Sequence, residues 1–273
     1  MPIQSKQDKL TTILRELDSV AVAFSSGVDS TFLLKTAHDI LGDRTLAVTI
    51  RADLFPLREF DEAVLFVKEK GIDHVIVDVD AFDIKGFSQN PANRCYLCKT
   101  ALFSHIRRIA EERGIPHVAE GSQADDSGDY RPGLQAISEL GILSPLREAG
   151  LTKQDIRQLS REGGLPTWNK QSLACLASRI PYGVEITKER LAMIDQAEQH
   201  LWDAGFRQVR VRFHGNLARI ETDEEGFRQL ADKNLREEIH CRFKEIGFTY
   251  ISVDLLGYRS GSMNETLVHD SPS

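Results

Sequence analysis

The sequence is poor in features that would place it in a secreted or membrane class. Four cysteines in 273 residues are too few for a disulfide scaffold of this length. No apolar run reaches the roughly 18 residues that a membrane span needs, and residues 1–19 are too polar for a signal peptide. We therefore expect a cytoplasmic protein with no membrane partner, whose cysteines are metal ligands, catalytic thiols or packing residues.

Positive charge is scarce as well. The net charge is −7, whereas a protein whose main partner is a long polyanion such as tRNA usually carries an excess of Lys and Arg. The apolar share of 41% and the charged share of 27% are those of an ordinary globular protein. The composition thus favours a small-molecule substrate and no nucleic acid.

Helical and strand patterns alternate along residues 1–165. Strands are predicted at 20–24, 45–50, 74–80 and 117–121, and the helices between them include 57–70 and 99–113. Strands that alternate with helices of this length predict an α/β domain with a parallel sheet. Such a sheet binds its ligand beyond the carboxyl ends of its strands.

The rest of the chain has a different pattern. Residues 166–184 are predicted to form a linker and residues 185–273 a smaller α+β domain. In that domain a helix precedes strands at 207–213 and 217–221, a helix covers 224–246, and a last strand covers 250–255.

Small polar residues are concentrated where the first strand meets a helix, in the segment AFSSGVDSTF at 23–32. Unpaired N–H groups at the positive end of a helix dipole bind phosphate there. Gly27 would allow a close backbone approach or a positive φ, and Asp29 would be a helix cap or a Mg²⁺ ligand. The simpler alternative is that these residues only cap the helix. The hydroxyl donors of the segment are Ser25, Ser26 and Ser30.

The segment resembles the S-G-G-x-D-S loop of the ATP pyrophosphatase (PP-loop) superfamily. That loop holds the β- and γ-phosphates of ATP while an acceptor is adenylated and pyrophosphate is released. Ser26 stands where the superfamily has its first glycine, and the G-x-x-x-x-G-K-[ST] pattern does not occur here. Asp125 and Asp126 follow the fourth strand and are predicted to reach the same edge of the sheet, as metal or nucleotide contacts or as solvated loop acids.

Three cysteines suggest a metal centre. Cys95 and Cys98 form a C-x-x-C pair, and Cys175 lies far along the chain with no histidine close to any of them. Three cysteines on a [4Fe–4S] cluster leave one iron without a protein ligand, and that iron can bind hydrosulfide. The alternatives are a zinc site, a redox pair or simple packing. Cys241 is expected to be buried inside a helix.

Further motifs bring the resemblance to one family, from about residue 10 to residue 267. The chain resembles the LarE-type ATP-dependent sulfur transferases, which act on pyridinium-3,5-biscarboxylic acid mononucleotide on the route to the nickel-pincer nucleotide of lactate racemase. The resemblance implies a PP-loop, adenine nucleotide alpha hydrolase-like domain, adenylation with Mg²⁺, and a homo-oligomer based on dimers, with a hexamer as one form. The motifs are GDYRPG, WNK, SRIPYG, VRVRFH, ARIE and GYRSGSMNETL.

The family has two subtypes. In one, a single cysteine equivalent to Cys175 gives up its own sulfur and becomes dehydroalanine. In the other, three cysteines hold a [4Fe–4S] cluster that delivers a bound sulfide. Because Cys95, Cys98 and Cys175 are all present, the sequence is similar to the second subtype.

Charged residues of the C-terminal region complete the predicted site. Arg210 and Arg212 alternate with apolar residues, so both guanidinium groups lie on one strand face, suited to the substrate's 5′-phosphate or else to solvent. The resemblance implies a catalytic role for Glu198, a nucleotide contact for Arg179 and a phosphate contact for Arg259.

Three other interpretations remain open at this point. The chain could be a tRNA-thiolating PP-loop enzyme or an ATP-dependent amide-forming synthetase. It could also be a non-catalytic module that binds nucleotide or carries zinc.

Overall fold

The chain divides into two compact units. The computed structural model describes residues 1–128, 132–171 and 174–265. One unit comprises Met1–Ile84 and Asn93–Leu173, and the other comprises Lys85–Ala92 and Ala174–Ser273. Residues 129–131 of the GDYRPG motif and residues 266–267 of the GYRSGSMNETL motif lie outside the described residues.

A four-stranded sheet forms the centre of the first unit. Its strands are β1 (Val20–Ala23), β2 (Thr45–Arg51), β3 (Asp73–Asp78) and β4 (Val118–Ala119), in the order β3-β2-β1-β4. All three pairings are parallel, which confirms the predicted α/β fold. β1 lies between β2 and β4, so the segment that follows it starts from the middle of the carboxyl edge.

Helices cover both faces of this sheet. Because side chains alternate along a strand, Val20 and Val22 of β1 belong to one buried apolar cluster and Ala21 to another. The third helix has the predicted bounds, whereas the fourth begins at Arg94, five residues before the predicted start. The helices of this unit are α1 (Ile3–Glu16), α2 (Val28–Leu41), α3 (Leu57–Lys70), α4 (Arg94–Glu112), α5 (Pro132–Glu139), α6 (Pro145–Glu148) and α7 (Lys153–Glu162).

The second unit is the predicted small α+β arrangement. Strands β5 (Val209–His214) and β6 (Leu217–Thr222) are antiparallel, and β7 (Tyr250–Val253) runs parallel to β6. Its helices are α8 (Lys188–Asp203), α9 (Glu224–Gln229) and α10 (Lys233–Ile246). The single helix predicted over 224–246 is wrong, because the Asp232 side chain accepts a hydrogen bond from Leu235 N at 2.8 Å and starts a new helix.

Cys241 does not have the expected burial. It is exposed on α10, because the buried face of that helix is formed by Ile239 and Phe243, two residues away on either side. In the described part of the chain, no helix combines the length and the apolar character needed to cross a membrane.

Candidate functional site

The loop after β1 leads directly into α2. Gly27 is the N-terminal flanking residue of α2, and no described side chain caps the helix. Ser30 Oγ lies 3.1 Å from Ser25 Oγ, accepts from Ser25 N at 3.3 Å and donates to Gly27 O at 3.3 Å. The interpretation that these residues only cap the helix is therefore wrong, and the first-turn N–H groups remain suited to an anion.

Ser26, rather than Gly27, has the unusual backbone conformation. The φ of Ser26 is +53°, whereas Gly27 is extended at −72°. Ser26 is buried, and its Oγ donates to Glu59 O at 2.9 Å. The positive φ thus falls on the residue that replaces the superfamily's first glycine.

Asp29 lies in the first turn of α2 and is not its cap. One oxygen, Oδ2, accepts from Lys153 Nζ at 2.6 Å, and Oδ1 is buried with no hydrogen-bond partner among the described residues. Burial raises the pKa of Asp29, while the Lys153 ammonium opposes that rise. A buried carboxylate oxygen without a partner fits a Mg²⁺ ligand, because this ion prefers oxygen donors.

Both predicted acids of the β4 loop belong to this group. They lie in a short 3-10 helix at Ala124–Gly128. Asp126 Oδ2 accepts from Gln123 N at 2.9 Å. Burial is the main cause of the raised pKa of Asp29, and the charge of Asp126 adds to it. Asp125 Oδ2 accepts from Lys153 N at 2.9 Å.

Two lysines beside the loop were not predicted from the sequence. Lys153 is the first residue of α7, and its ammonium reaches Asp29. Lys170 donates to Ser26 O and Ser26 Oγ, both at 3.0 Å. Lys170 belongs to the WNK motif, which is a sequence signal, but only the tertiary fold brings either lysine to the loop.

The three candidate cluster ligands are thiols of intermediate exposure that form no disulfide within the described chain. Cys95 and Cys98 lie at the start of α4, three residues apart, and therefore share one face of that helix. Cys175 belongs to the second unit and precedes a short 3-10 helix at Leu176–Arg179. Within the residues described, no three Cys, His, Asp or Glu side chains are grouped as a metal site.

A buried ion pair fixes the backbone at Cys175. Arg179 is fully buried and binds Glu198 through Nε at 2.9 Å and Nη2 at 2.8 Å. Its Nη1 donates to Cys175 O at 3.0 Å, and Glu198 Oε1 also accepts from Val211 N at 2.9 Å. Burial alone would raise the pKa of Glu198, but the charge of Arg179 holds it below its usual value. Glu198 is therefore ionised.

The two arginines of β5 are buried, with 2% of Arg210 and 5% of Arg212 exposed. The alternative of a solvated polar face is therefore wrong. Arg212 Nη2 donates to Glu221 Oε2 at 2.6 Å and Nη1 to Ser178 O at 3.2 Å, while its Nε is buried without a partner among the described residues. Arg210 lies 5.2 Å from the centre of the Tyr258 ring. An unfilled buried guanidinium donor fits a phosphate oxygen.

Arg259 joins the same network through other charges. It donates to Asp254 Oδ1 at 3.0 Å, and Arg219 lies 3.6 Å from Asp254 and 3.1 Å from Glu221. Ser262 donates to Glu221 at 2.8 Å, and Glu221 also accepts from Arg212. Two of the predicted phosphate-binding arginines, Arg212 and Arg259, are thus connected within the second unit.

No protein-family model matches the chain. A pyridinium-3,5-bisthiocarboxylic acid mononucleotide synthase of Lactiplantibacillus plantarum is 38% identical, over 97% of this chain and 96% of its own. This chain belongs to the LarE family. An uncharacterized protein of Synechocystis is 40% identical, over 97% of this chain and 99% of its own. More distantly, the argininosuccinate synthase of Natronomonas pharaonis is 29% identical, over 56% of this LarE-family chain and 41% of its own.

Proposed function

We propose that the protein is an ATP-dependent sulfur transferase. It adenylates the carboxylates of pyridinium-3,5-biscarboxylic acid mononucleotide and converts them to thiocarboxylates, for synthesis of the nickel-pincer nucleotide. The observation that carries the proposal is the similarity to the L. plantarum synthase over nearly the whole length of both chains. The loop after β1 and the arginine network support it with two anion-binding arrangements.

Adenylation is needed because a carboxylate is a poor electrophile. A carboxylate oxygen attacks the α-phosphorus of ATP, the bond to the bridging oxygen breaks, and pyrophosphate leaves with the electron pair. Hydrosulfide, a co-substrate, then attacks the acyl carbon. AMP departs with the electrons of the C–O bond, the proton passes to solvent, and a thiocarboxylate remains. No external oxidant or reductant is consumed.

In the first unit, the proposed task is to bind ATP. The N–H groups at the start of α2 and the hydroxyls of Ser25 and Ser30 would contact the β- and γ-phosphates. Mg²⁺ on Asp29 would neutralise the leaving pyrophosphate. Lys153, which donates to the same carboxylate, would supply a second positive charge.

In the second unit, the proposed task is to bind the substrate. Arg210 and Arg212 would bind the 5′-phosphate, and the Arg212 Nε that has no partner among the described residues would donate to it. Arg259, held by its hydrogen bond to Asp254, would add a third positive charge. Arg179 has its donors on Glu198, Ser178 and the backbone of Ala174 and Cys175, so a positioning role at Cys175 suits it better than the expected nucleotide contact.

A [4Fe–4S] cluster on Cys95, Cys98 and Cys175 is a further part of the proposal. The spacing of the first two on one helix face supports a pair of ligands, and Cys175 would be the third. Such a cluster would supply an iron without a protein ligand, at which hydrosulfide can bind.

The test uses the full chain, prepared without oxygen. ATP, Mg²⁺, hydrosulfide and the pyridinium dicarboxylate mononucleotide are mixed with it, and pyrophosphate, AMP and the mass of the pyridinium product are followed. We expect pyrophosphate release only with the acceptor present, together with product in which sulfur has replaced oxygen. Light scattering on the same sample tests the expected homo-oligomer.

Two results would contradict the proposal. Pyrophosphate release that requires ammonia, with an amide as product, would indicate an amide-forming synthetase. Tight, salt-sensitive binding of tRNA with no turnover of the mononucleotide would indicate RNA thiolation. The Arg212→Ala variant tests the proposed binding of the substrate phosphate. It is expected to raise KM for the mononucleotide while ATP binding stays unchanged.

A further inference from the structure

Ser26 has a conformation that a serine adopts only with support. Its φ of +53° lies in the left-handed region, where a Cβ is crowded and glycine is favoured. The residue is 1% exposed and lies in the phosphate-binding loop between β1 and α2. Strained residues of this kind persist only where the surroundings fix them.

Two groups from elsewhere in the first unit hold Ser26. Its hydroxyl donates to Glu59 O, in α3, at 2.9 Å. Lys170 Nζ donates to that hydroxyl and to the Ser26 carbonyl oxygen, both at 3.0 Å. The hydroxyl and the carbonyl oxygen of Ser26 are therefore both held by groups that are distant in sequence.

Lys170 itself is held from two sides. Its ammonium also pairs with the Glu62 carboxylate of α3, and its carbonyl oxygen accepts from Arg157 Nη2 of α7 at 2.9 Å. An ammonium has three N–H donors, and here the three have three acceptors. A phosphate could contact Lys170 only if one of these bonds were given up, which argues against a direct phosphate ligand.

We infer that Lys170 is a positioning residue that holds Ser26, and with it the phosphate-binding loop, in the conformation that binds ATP. The inference rests on the proposed use of ATP. It also explains how a serine can replace the loop glycine, because the hydroxyl offers Lys170 and Glu59 a contact that a glycine lacks.

A double-mutant cycle tests this pair, with the dissociation constant for ATP measured by titration on the full chain. Lys170→Met is expected to weaken ATP binding about tenfold, which corresponds to the loss of one well-placed contact. In the Ser26→Gly background the same change is expected to cost about threefold or less, because glycine adopts a positive φ without support. In turnover, Lys170→Met should raise KM for ATP more than it lowers kcat.

Two controls separate this role from general stabilisation. Lys35→Met removes a lysine of α2 that pairs with Asp39 in the same helix, and it should leave ATP binding unchanged. Glu62→Gln keeps the contacts between Lys170 and Ser26, and it should change ATP binding less than Lys170→Met does.

The outcomes are distinct. If the wild-type chain binds no ATP, the proposed function fails, and this inference with it. If the wild type binds ATP but Lys170→Met loses affinity equally with Ser26 present and in the Ser26→Gly background, Lys170 contacts phosphate directly and the inference is overturned. It is equally overturned if Lys170→Met lowers only the melting temperature, or if Glu62→Gln has the full effect by itself.

Discussion

Gly121 is favoured by close packing rather than by backbone conformation. It follows β4 by two residues, and a Cβ there would lie 3.0 Å from Ser30 N and 3.2 Å from the carbonyl carbon of Asp29. The neighbouring atoms belong to the backbone at the start of α2 and cannot turn away as a flexible side chain could. The two loops at the carboxyl edge of the sheet therefore approach each other closely because residue 121 has no side chain.

Gly121→Ala is expected to displace the first turn of α2 and to weaken ATP binding by at least about tenfold, with overpacking that costs about 1–3 kcal/mol of stability. ATP titration and thermal unfolding measure the two effects. Gly71→Ala is the matched control, because Gly71 has a φ of +67° with open space around it. It should lower stability by about 1–2 kcal/mol and leave ATP binding unchanged. Equal ATP affinity in both variants would contradict the close approach.

Glu198 is expected to make stability depend on pH in a defined direction. Arg179 lowers the pKa of Glu198 from the ordinary value of 4.5 against the effect of burial. For a carboxyl with a lowered folded-state pKa, the stabilisation is complete above the unfolded-state value and is lost as the pH falls through the folded-state value. The contribution of this pair is therefore complete at neutral pH, begins to fall near pH 4.5, and is lost as the pH passes through the lower folded-state pKa.

The corresponding variant is Glu198→Gln. Near pH 7 it should lower the free energy of unfolding by about 3 kcal/mol, because it leaves the buried Arg179 without an opposite charge. Denaturant unfolding of wild type and variant, from neutral pH to well below pH 4.5, should show this difference becoming smaller in acid. Glu225→Gln, at a residue exposed on α9, should show no such trend. A constant difference at every pH would mean that the charge of Glu198 is not the source.

At the scale of elements, local pattern predicted what local interactions determine. The apolar runs of β1 and β2 and the periodicity of α3 indicated the correct elements, since those residues are buried in the way the pattern requires. The division between α9 and α10 was missed because it depends on a single capping contact, from Leu235 N to the Asp232 side chain. The early start of α4 was missed as well, since no described side chain caps its first turn. The site followed the same rule. Residues 25–30 could be predicted from one short segment. Lys153 could not, because it lies 124 positions along the chain from Asp29, the residue it contacts.

Helix α7 connects a local capping motif to the proposed ATP-binding loop. Thr152 Oγ1 accepts from Asp155 N at 3.2 Å, and Asp155 Oδ2 accepts from Thr152 N at 2.9 Å, which is a capping box. The first residue of this helix is Lys153, whose ammonium binds Asp29. The position of that ammonium thus depends on how firmly α7 begins.

Thr152→Ala is expected to cost about 1 kcal/mol of stability and to weaken binding of ATP with Mg²⁺ as Lys153 loses its fixed position. Thr152→Ser, which keeps the hydroxyl acceptor, should restore most of both. Urea unfolding and ATP titration in the presence of Mg²⁺ measure the two quantities. A loss of stability without any change in ATP binding would show that Lys153 does not depend on the cap.

At the scale of the whole molecule, the two units carry different parts of the proposed reaction. The proposed ATP-binding loop, with Lys153 and Lys170, belongs to the first unit, and the arginine network proposed for the substrate phosphate belongs to the second. The segment Lys85–Ala92 belongs to the second unit, where Asn90 Nδ2 donates to Pro181 O at 2.7 Å and to Val184 O at 3.0 Å. The proposed cluster ligands are divided as well, with Cys95 and Cys98 in the first unit and Cys175 in the second.

The cysteines provide the last prediction. Wild-type protein purified without oxygen should contain iron and acid-labile sulfide and should absorb visible light. Each of the variants Cys95→Ser, Cys98→Ser and Cys175→Ser should lose most of the iron, because the proposed cluster needs all three thiolates. Cys241→Ser should keep it, since Cys241 is exposed on a different helix. ATP binding by each variant checks that it is folded, because none of the hydrogen bonds that hold Ser25, Ser26 and Ser30 in these contacts involves a cysteine. A wild-type enzyme that is colourless, free of iron and fully active would exclude the cluster, and sulfur would then have to reach the adenylated carboxylate by another route.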